Sequence, residues 1–182
     1  YAHSIRSATQ VGCKMGCTFC ATGKSGFSRN LTSGEMLAQI EAAQRDLNVR
    51  ISNIVLMGMG EPLDNFENVV KFIQLVSSDE GLNIGARHIT LSTCGIVPKI
   101  YELADYRFGI TLSVSLHAPN DQIRRRTMPI ARKYSIDELL QACKDYFKTT
   151  GRRVSFEYSM ISGVNDSDAN ARELANRLLG MN

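Results

Sequence analysis

The chain has 182 residues, 43% of them hydrophobic and 21% charged, which supplies a buried core and excludes a disordered chain. No apolar run approaches the roughly 20 residues of a membrane helix, and Tyr1 opens the chain without a signal peptide, so a soluble cytoplasmic protein is expected. The net charge of +3 permits a nucleic-acid partner without arguing for one, and five cysteines, three of them clustered, do not make the disulfide framework of a small secreted domain.

Along the chain, Cys13, Cys17 and Cys20 come first, in a long loop after Ser7-Ala8-Thr9-Gln10-Val11. Thr32-x-x-Glu35 then forms a capping box ahead of a helix with Met36, Leu37, Ile40 and Leu47 on its apolar face. The β-branched run from Ile51 to Met57 reads as a strand, and it ends in Gly58-Met59-Gly60-Glu61-Pro62. A helix follows with Phe66, Val69, Val70 and Ile73 on one face, then a strand from Arg87 to Leu91 and a short helix near Pro98. The strand from Ile110 to Leu116 leads into a long loop that carries Arg124, Arg125, Arg126, Arg132 and Lys133. Ser135-x-x-Glu138 caps the next helix, whose stripe is Ile136, Leu139, Leu140, Cys143 and Phe147. Val154 to Met160 is the last strand, and Asp166 and Ser167 precede a final helix. Strand-then-helix alternation predicts an α/β fold whose parallel strands, joined by right-handed crossovers, curl or close into a barrel. The ends look like cuts, because there is no initiator methionine and no strand follows the last helix.

The three clustered cysteines carry the clearest chemistry. Thiolates at C-x3-C-x2-C spacing can converge on a soft metal centre, and three ligands leave part of it open. They would lie at the C-terminal rim of the sheet, where active sites of parallel α/β architectures collect. A structural zinc site would need a fourth ligand from His3, Cys94, Cys143 or His117. Unrelated buried thiols account for Cys94 and Cys143 but poorly for a cluster of three. An iron–sulfur cluster with one open iron fits the ligand count best. The glycines at 58 and 60 allow either a tight turn or close backbone approach to a ligand. Neither nucleotide motif is complete: Leu63 stands where G-x-G-x-x-G needs its third glycine, and Thr18 where a phosphate loop ending in Gly23-Lys24-Ser25 needs its first. The arginine-rich loop could neutralise RNA phosphates, although a solvated basic loop is the plainer reading.

Cys13-x3-Cys17-x2-Cys20 with Phe19 before the last cysteine, and Gly60-Glu61-Pro62, resembles the radical S-adenosylmethionine (SAM) superfamily. Four longer strings are similar to the adenine-C2 RNA methyltransferases within it: Gln10-Val11-Gly12-Cys13, Met57-Gly58-Met59-Gly60-Glu61-Pro62-Leu63, Leu91-Ser92-Thr93-Cys94-Gly95 and Ser115-Leu116-His117-Ala118-Pro119-Asn120-Asp121. The related adenine-C8 resistance methyltransferases share much of this pattern.

The resemblance implies a partial (βα)6-type barrel, with residues 1–182 forming the core domain. The family's N-terminal accessory domain and C-terminal segment are absent from it. It implies that Cys13, Cys17 and Cys20 hold a [4Fe–4S] cluster and that Gly60, Glu61, Ser92, Ser115, Leu116 and His117 contact SAM. It implies ribosomal RNA and transfer RNA as partners, and an electron donor such as flavodoxin or ferredoxin.

In that family one SAM methylates a cysteine near the C-terminus, and a 5′-deoxyadenosyl radical from a second SAM takes a hydrogen from the methyl group. The carbon radical adds to adenine C2, and a resolving cysteine releases the product through a disulfide. The methyl carrier would lie beyond Asn182, and Arg6 stands at the resolving position, seven residues before Cys13. Binding of cluster and SAM without complete methyl transfer is therefore the expectation for this chain.

Overall fold

The computed structural model describes residues 3–181. The strands in chain order are β1 (His3–Arg6), β2 (Gln10–Gly12), β3 (Phe27–Asn30), β4 (Ile51–Leu56), β5 (Ile89–Thr93), β6 (Thr111–Ser115) and β7 (Val154–Glu157). The helices are α1 (Ala21–Lys24), α2 (Ser33–Leu47), α3 (Phe66–Ser77), α4 (Val97–Asp105), α5 (Asp121–Thr127), α6 (Ile136–Thr150) and α7 (Asp168–Leu178). Five strands form one parallel sheet in the order β1-β4-β5-β6-β7. Because β1 and β7 pair with one neighbour each, the barrel stays open between them. β2 and β3 form a separate antiparallel hairpin around the cysteine loop.

Apolar strands between helices place the core on the sheet. Ile54, Leu56, Leu91, Leu112 and Val114 are buried in one cluster with the helix faces laid over them, each such side chain stabilising by roughly 1.5–3 kcal/mol on burial. The α3 face forms as its periodicity predicts, with Phe66, Val69, Val70 and Ile73 buried and Phe72 and Val76 added to them. Both capping boxes form. Thr32 Oγ1 accepts from Glu35 N while Glu35 Oε2 accepts from Thr32 N, and Ser135 and Glu138 do the same.

Several expectations need correction. On α2 only Met36 and Ile40 of the expected stripe are buried; Leu47 is 67% exposed, because the helix ends there on left-handed Asn48. On α6 the inward position is Tyr146, with Phe147 half-buried beside it, as the 3.6-residue period requires. Arg87 and His88 form a 3-10 turn, so that β5 starts at Ile89 and includes Ser92. β6 begins at Thr111 and stops at Ser115, and β7 ends at Glu157, short of Met160. The supposed loop after β6 contains α5, which carries Arg124, Arg125 and Arg126. Among the described residues no helix is long and apolar enough to cross a membrane.

Candidate active site at the strand ends

The cysteine loop is held from both sides. Gly12 lies in the left-handed region at φ +82°, and a Cβ there would sit 2.0 Å from the Gly26 carbonyl oxygen. Only glycine lets β2 pass so close to β3. Cys13 N then donates to Gly26 O (2.8 Å), Cys20 N to Cys17 O (3.1 Å) and Thr18 N to Thr127 O (2.9 Å), the last tying the loop to the end of α5.

This anchoring brings Cys13, Cys17 and Cys20 to a cavity of about 200 Å³ at the C-terminal ends of β4, β5 and β6. Gly60, Glu61, Ser92, Ser115 and His117 line the same cavity. Leu116 does not; it is buried in the hydrophobic core, and only its carbonyl takes part nearby, as an acceptor for Arg124. The alternating pleat explains this, since neighbouring residues at a strand end face opposite sides.

Burial raises the Cys13 thiol above its ordinary range. It pushes Cys17 up to about 11, with the neighbouring Cys13 and Cys20 adding to the rise. Neighbouring thiols that oppose the ionisation of Cys17 favour a cation beside it. Among the described residues no three His, Cys, Asp or Glu side chains are arranged to hold a single metal ion. An iron–sulfur cluster spreads its thiolates over separate irons. The cysteines at a cavity wide enough for more than one atom fit the cluster.

The Gly60-Glu61 corner is built by packing. A Cβ on Gly60, at φ +104°, would lie 2.6 Å from the Gln10 Cβ, and one on Gly58 would lie 2.7 Å from the Ser7 backbone. The chain between β1 and β2 crosses directly over both glycines. Gln10 Oε1 accepts from Glu61 N (2.9 Å), while its Nε2 donates to Asn30 (2.9 Å) and Asp64 (2.8 Å). The Glu61 carboxylate accepts from Thr93 Oγ1 (2.6 Å), Cys94 N (2.7 Å) and Leu63 N (3.0 Å), and burial raises its pKa.

His117 sits at φ +50°, a strained position for a side chain of its size. Asn165 explains how it is held: its Nδ2 donates to the His117 carbonyl (2.7 Å) and its Oδ1 accepts from Ile161 N (2.6 Å). His117 Nδ1 faces the Ser159 backbone N–H at 2.9 Å, which makes Nδ1 the acceptor and leaves the proton on Nε2. Burial, helped by the charge of Arg124, lowers its pKa to about 4. The ring is a neutral N–H donor, edge-on to Phe19 with centroids 4.9 Å apart.

Arg124 is not a phosphate contact. It is fully buried, with Nε donating to Leu116 O (3.2 Å) and Nη2 to Cys94 O (2.7 Å) and Ser115 O (3.3 Å). Only Arg125, Arg126, Arg132 and Lys133 of the basic run are exposed. Gln10, Asn165 and Arg124 hold the site together; Asn165 has no signal in the sequence, and Arg124 is visible only as one of a basic run. Gln10 was visible only inside the string that precedes Cys13.

Residues 7–175 match the Radical SAM superfamily. A probable dual-specificity RNA methyltransferase RlmN from Clostridium novyi (strain NT) is 59% identical over 181 residues, covering 100% of this chain and 53% of that protein. Its counterpart in Clostridium botulinum (strain Hall) is 61% identical over 180 residues, covering 99% of this chain and 53% of that protein. The crystal structure of a radical SAM methyltransferase from Sphaerobacter thermophilus matches with a TM-score of 0.94 at 52% identity, over 98% of this chain and 53% of that one. Streptococcus suis SuiB bound to S-adenosylmethionine, at 16% identity and a TM-score of 0.68 over 98% of this chain and 38% of that one, shares the fold. The chain spans about half the length of the curated relatives it matches.

Proposed function

The chain belongs to the radical SAM superfamily, and from that premise we propose that it is the core domain of a methyltransferase acting on C2 of an adenine in large-subunit ribosomal RNA and in transfer RNA. Its cofactors in this reading are a [4Fe–4S] cluster on Cys13, Cys17 and Cys20 and SAM beside Gly60, Glu61, Ser92, Ser115 and His117. RNA is the partner, a flavodoxin- or ferredoxin-type protein is the electron donor, and the cytoplasm is the location. The observation that supports it is the meeting of three cysteines and these strand-end residues at one cavity.

When bound, cluster and SAM supply a carbon-centred radical, the chemistry that an unreactive adenine C2 demands. The chain's own groups hold and orient. The cysteine loop, pinned to β3 and α5, fixes the thiolates, and the Glu61 corner fixes the strand-end backbone against which an amino-acid moiety can lie. His117 offers a neutral Nε2–H donor whose direction is set by Ser159 and Asn165. The exposed Arg125, Arg126, Arg132 and Lys133 neutralise phosphates while the target adenine is unstacked.

Arg6 separates this reading from full turnover. The side chain is exposed at the end of β1 and offers no thiol. Cys94 lines the cavity, but burial and the adjacent Glu61 raise its pKa well above the ordinary thiol value, making it a poor nucleophile. We therefore assign this chain binding of cluster and SAM without complete methyl transfer.

The test is anaerobic purification with iron, sulfide and zinc analysis. About four irons and sulfides per chain, a brown colour bleached by dithionite, and loss of all three on substitution of Cys17 but not of Cys143 are expected. A colourless protein with stoichiometric zinc would replace the reading by a zinc-stabilised RNA-binding module. Mass analysis of adenosine from treated RNA, using full-length protein, separates an RNA methyltransferase from a radical SAM enzyme that cleaves SAM for a small molecule or peptide.

A further inference from the structure

Among the described residues, Arg124 is the largest side chain that is fully buried. None of the ion pairs among the described residues includes it. Its three hydrogen bonds go to neutral carbonyls of Cys94, Ser115 and Leu116, and Nη1 is buried with no hydrogen-bond partner. Carbonyls orient a guanidinium but cannot cancel its charge, and an uncompensated buried charge is costly. Stapling the ends of β5 and β6 to α5 does not require a cation. An anion close by, in addition to the Asp121 carboxylate, would offset that cost.

The cysteine cavity is close by. Cys94 and Ser115, whose carbonyls Arg124 binds, both line it, and so does Met128 immediately after α5. The loop of Cys17 is bonded to the same helix end through Thr18 N and Thr127 O. The positive charge is also felt at Cys17 and Cys94, where it favours the thiolate. The other charged or titratable groups facing it are His117, whose ring it helps to keep neutral; Asp121, whose Oδ1 accepts from Ile136 N; the buried thiol of Cys143; and Glu61, on the amide of Cys94.

We propose that Arg124 is a positioning residue that sets the reduction potential of the cluster held by Cys13, Cys17 and Cys20, by fixing a positive charge behind the cavity wall. This rests on the cluster reading given above. Three thiolates make the bound cluster anionic, so each added electron meets negative charge. A fixed guanidinium in a low-dielectric wall offsets that repulsion, and net charge and hydrogen bonding are the levers that tune such potentials. The step itself is simple: one electron passes from an external donor to the oxidised cluster, and no bond forms or breaks.

The experiment is a potentiometric titration of the anaerobically purified chain, followed by visible absorption and electron paramagnetic resonance. Arg124→Lys, Arg124→Gln and Arg124→Met are compared with the parent at matched iron and sulfide content. Loss of the charge is expected to lower the equilibrium constant for one-electron reduction by about tenfold or more, a shift of about 59 mV to lower potential. Arg124→Lys, which keeps the charge but has fewer donors, stays within roughly threefold of the parent. If a neutral variant takes up the cluster and keeps the parent's potential, the inference is wrong while the cluster reading stands. If Lys and the neutral variants shift equally, hydrogen-bond geometry rather than charge is responsible, and the inference is again wrong. Should both neutral variants fail to fold while Arg124→Lys folds, pH decides: neutralising the buried lysine by raising pH is expected to lower the potential of the Lys form by about tenfold relative to the parent, whose arginine stays charged, and a difference that stays constant with pH overturns the inference. A parent chain that binds no iron and sulfide overturns this inference and the cluster reading together.

Discussion

Glu61 and Arg124 grip Cys94 at its two polar ends: Glu61 Oε2 accepts from the Cys94 amide at 2.7 Å, and Arg124 Nη2 donates to the Cys94 carbonyl at 2.7 Å. A carboxylate from the end of β4 and a guanidinium from α5 thereby fix the turn after β5, on the wall of the cysteine cavity. Glu61→Gln leaves one acceptor oxygen for three donors and turns an amide N–H₂ toward one of them. The expected cost is about 1–3 kcal/mol, from leaving a buried donor unsatisfied. Urea denaturation measures it; an unchanged midpoint and slope would show that the Glu61 carboxylate does not secure this turn.

Gly60 is constrained by two separate demands, a φ of +104° and the 2.6 Å approach of the Gln10 Cβ. Gly60→Ala is expected to destabilise by about 2 kcal/mol or more, because Gln10 must shift and release Glu61 N. Gly109 provides the comparison, with φ +76° but no atom within 4 Å of where a Cβ would stand. Its Ala variant meets backbone strain alone and should cost about 1 kcal/mol. Equal losses at the two positions would remove the crowding argument.

His117 makes folding sensitive to acid. Its pKa falls from 6.5 to about 4 in the fold, so between those values the unfolded chain binds a proton that the folded chain excludes. Stability contributed by this group is complete above pH 6.5 and is lost as pH falls toward 4, with a ceiling of about 3 kcal/mol. His117→Gln should flatten the pH dependence of the urea midpoint across that window. A variant with the parent's slope would place the acid sensitivity elsewhere.

The strands and helices were legible because their signals are local: apolar β-branched runs, a 3.6-residue stripe on α3, and capping boxes at Thr32 and Ser135. β1 was not, since Ile5 is the sole apolar residue of His3-Ser4-Ile5-Arg6 and an edge strand lacks a second buried face to pattern it. At the site, the residues expected to hold cluster and SAM were visible, and all but Leu116 line the cavity. The residues that hold them were not. Arg124 stands in a basic run that reads as solvated, and its burial depends on carbonyls from β5 and β6, far away in sequence. Asn165 is likewise an ordinary loop residue until the fold brings His117 to it.

β1 runs parallel to β4, so its C-terminal end points to the same rim as Gly60 and Glu61, and Ser7 N continues the ladder to Val55 O. Position 6 therefore sits exposed at the cavity end of an edge strand. A thiol there meets none of the burial that holds Cys94 protonated, and thiolate fraction governs attack on a methyl-bearing sulfur. In full-length protein supplied with SAM, a one-electron donor and RNA, Arg6→Cys is expected to raise methylated adenine per enzyme by on the order of tenfold or more. Arg6→Ser, which restores size and polarity without a thiol, should leave it at the parent's level. Equal product from all three forms would show that position 6 does not limit the reaction, and would return attention to Cys94 as the group that releases product.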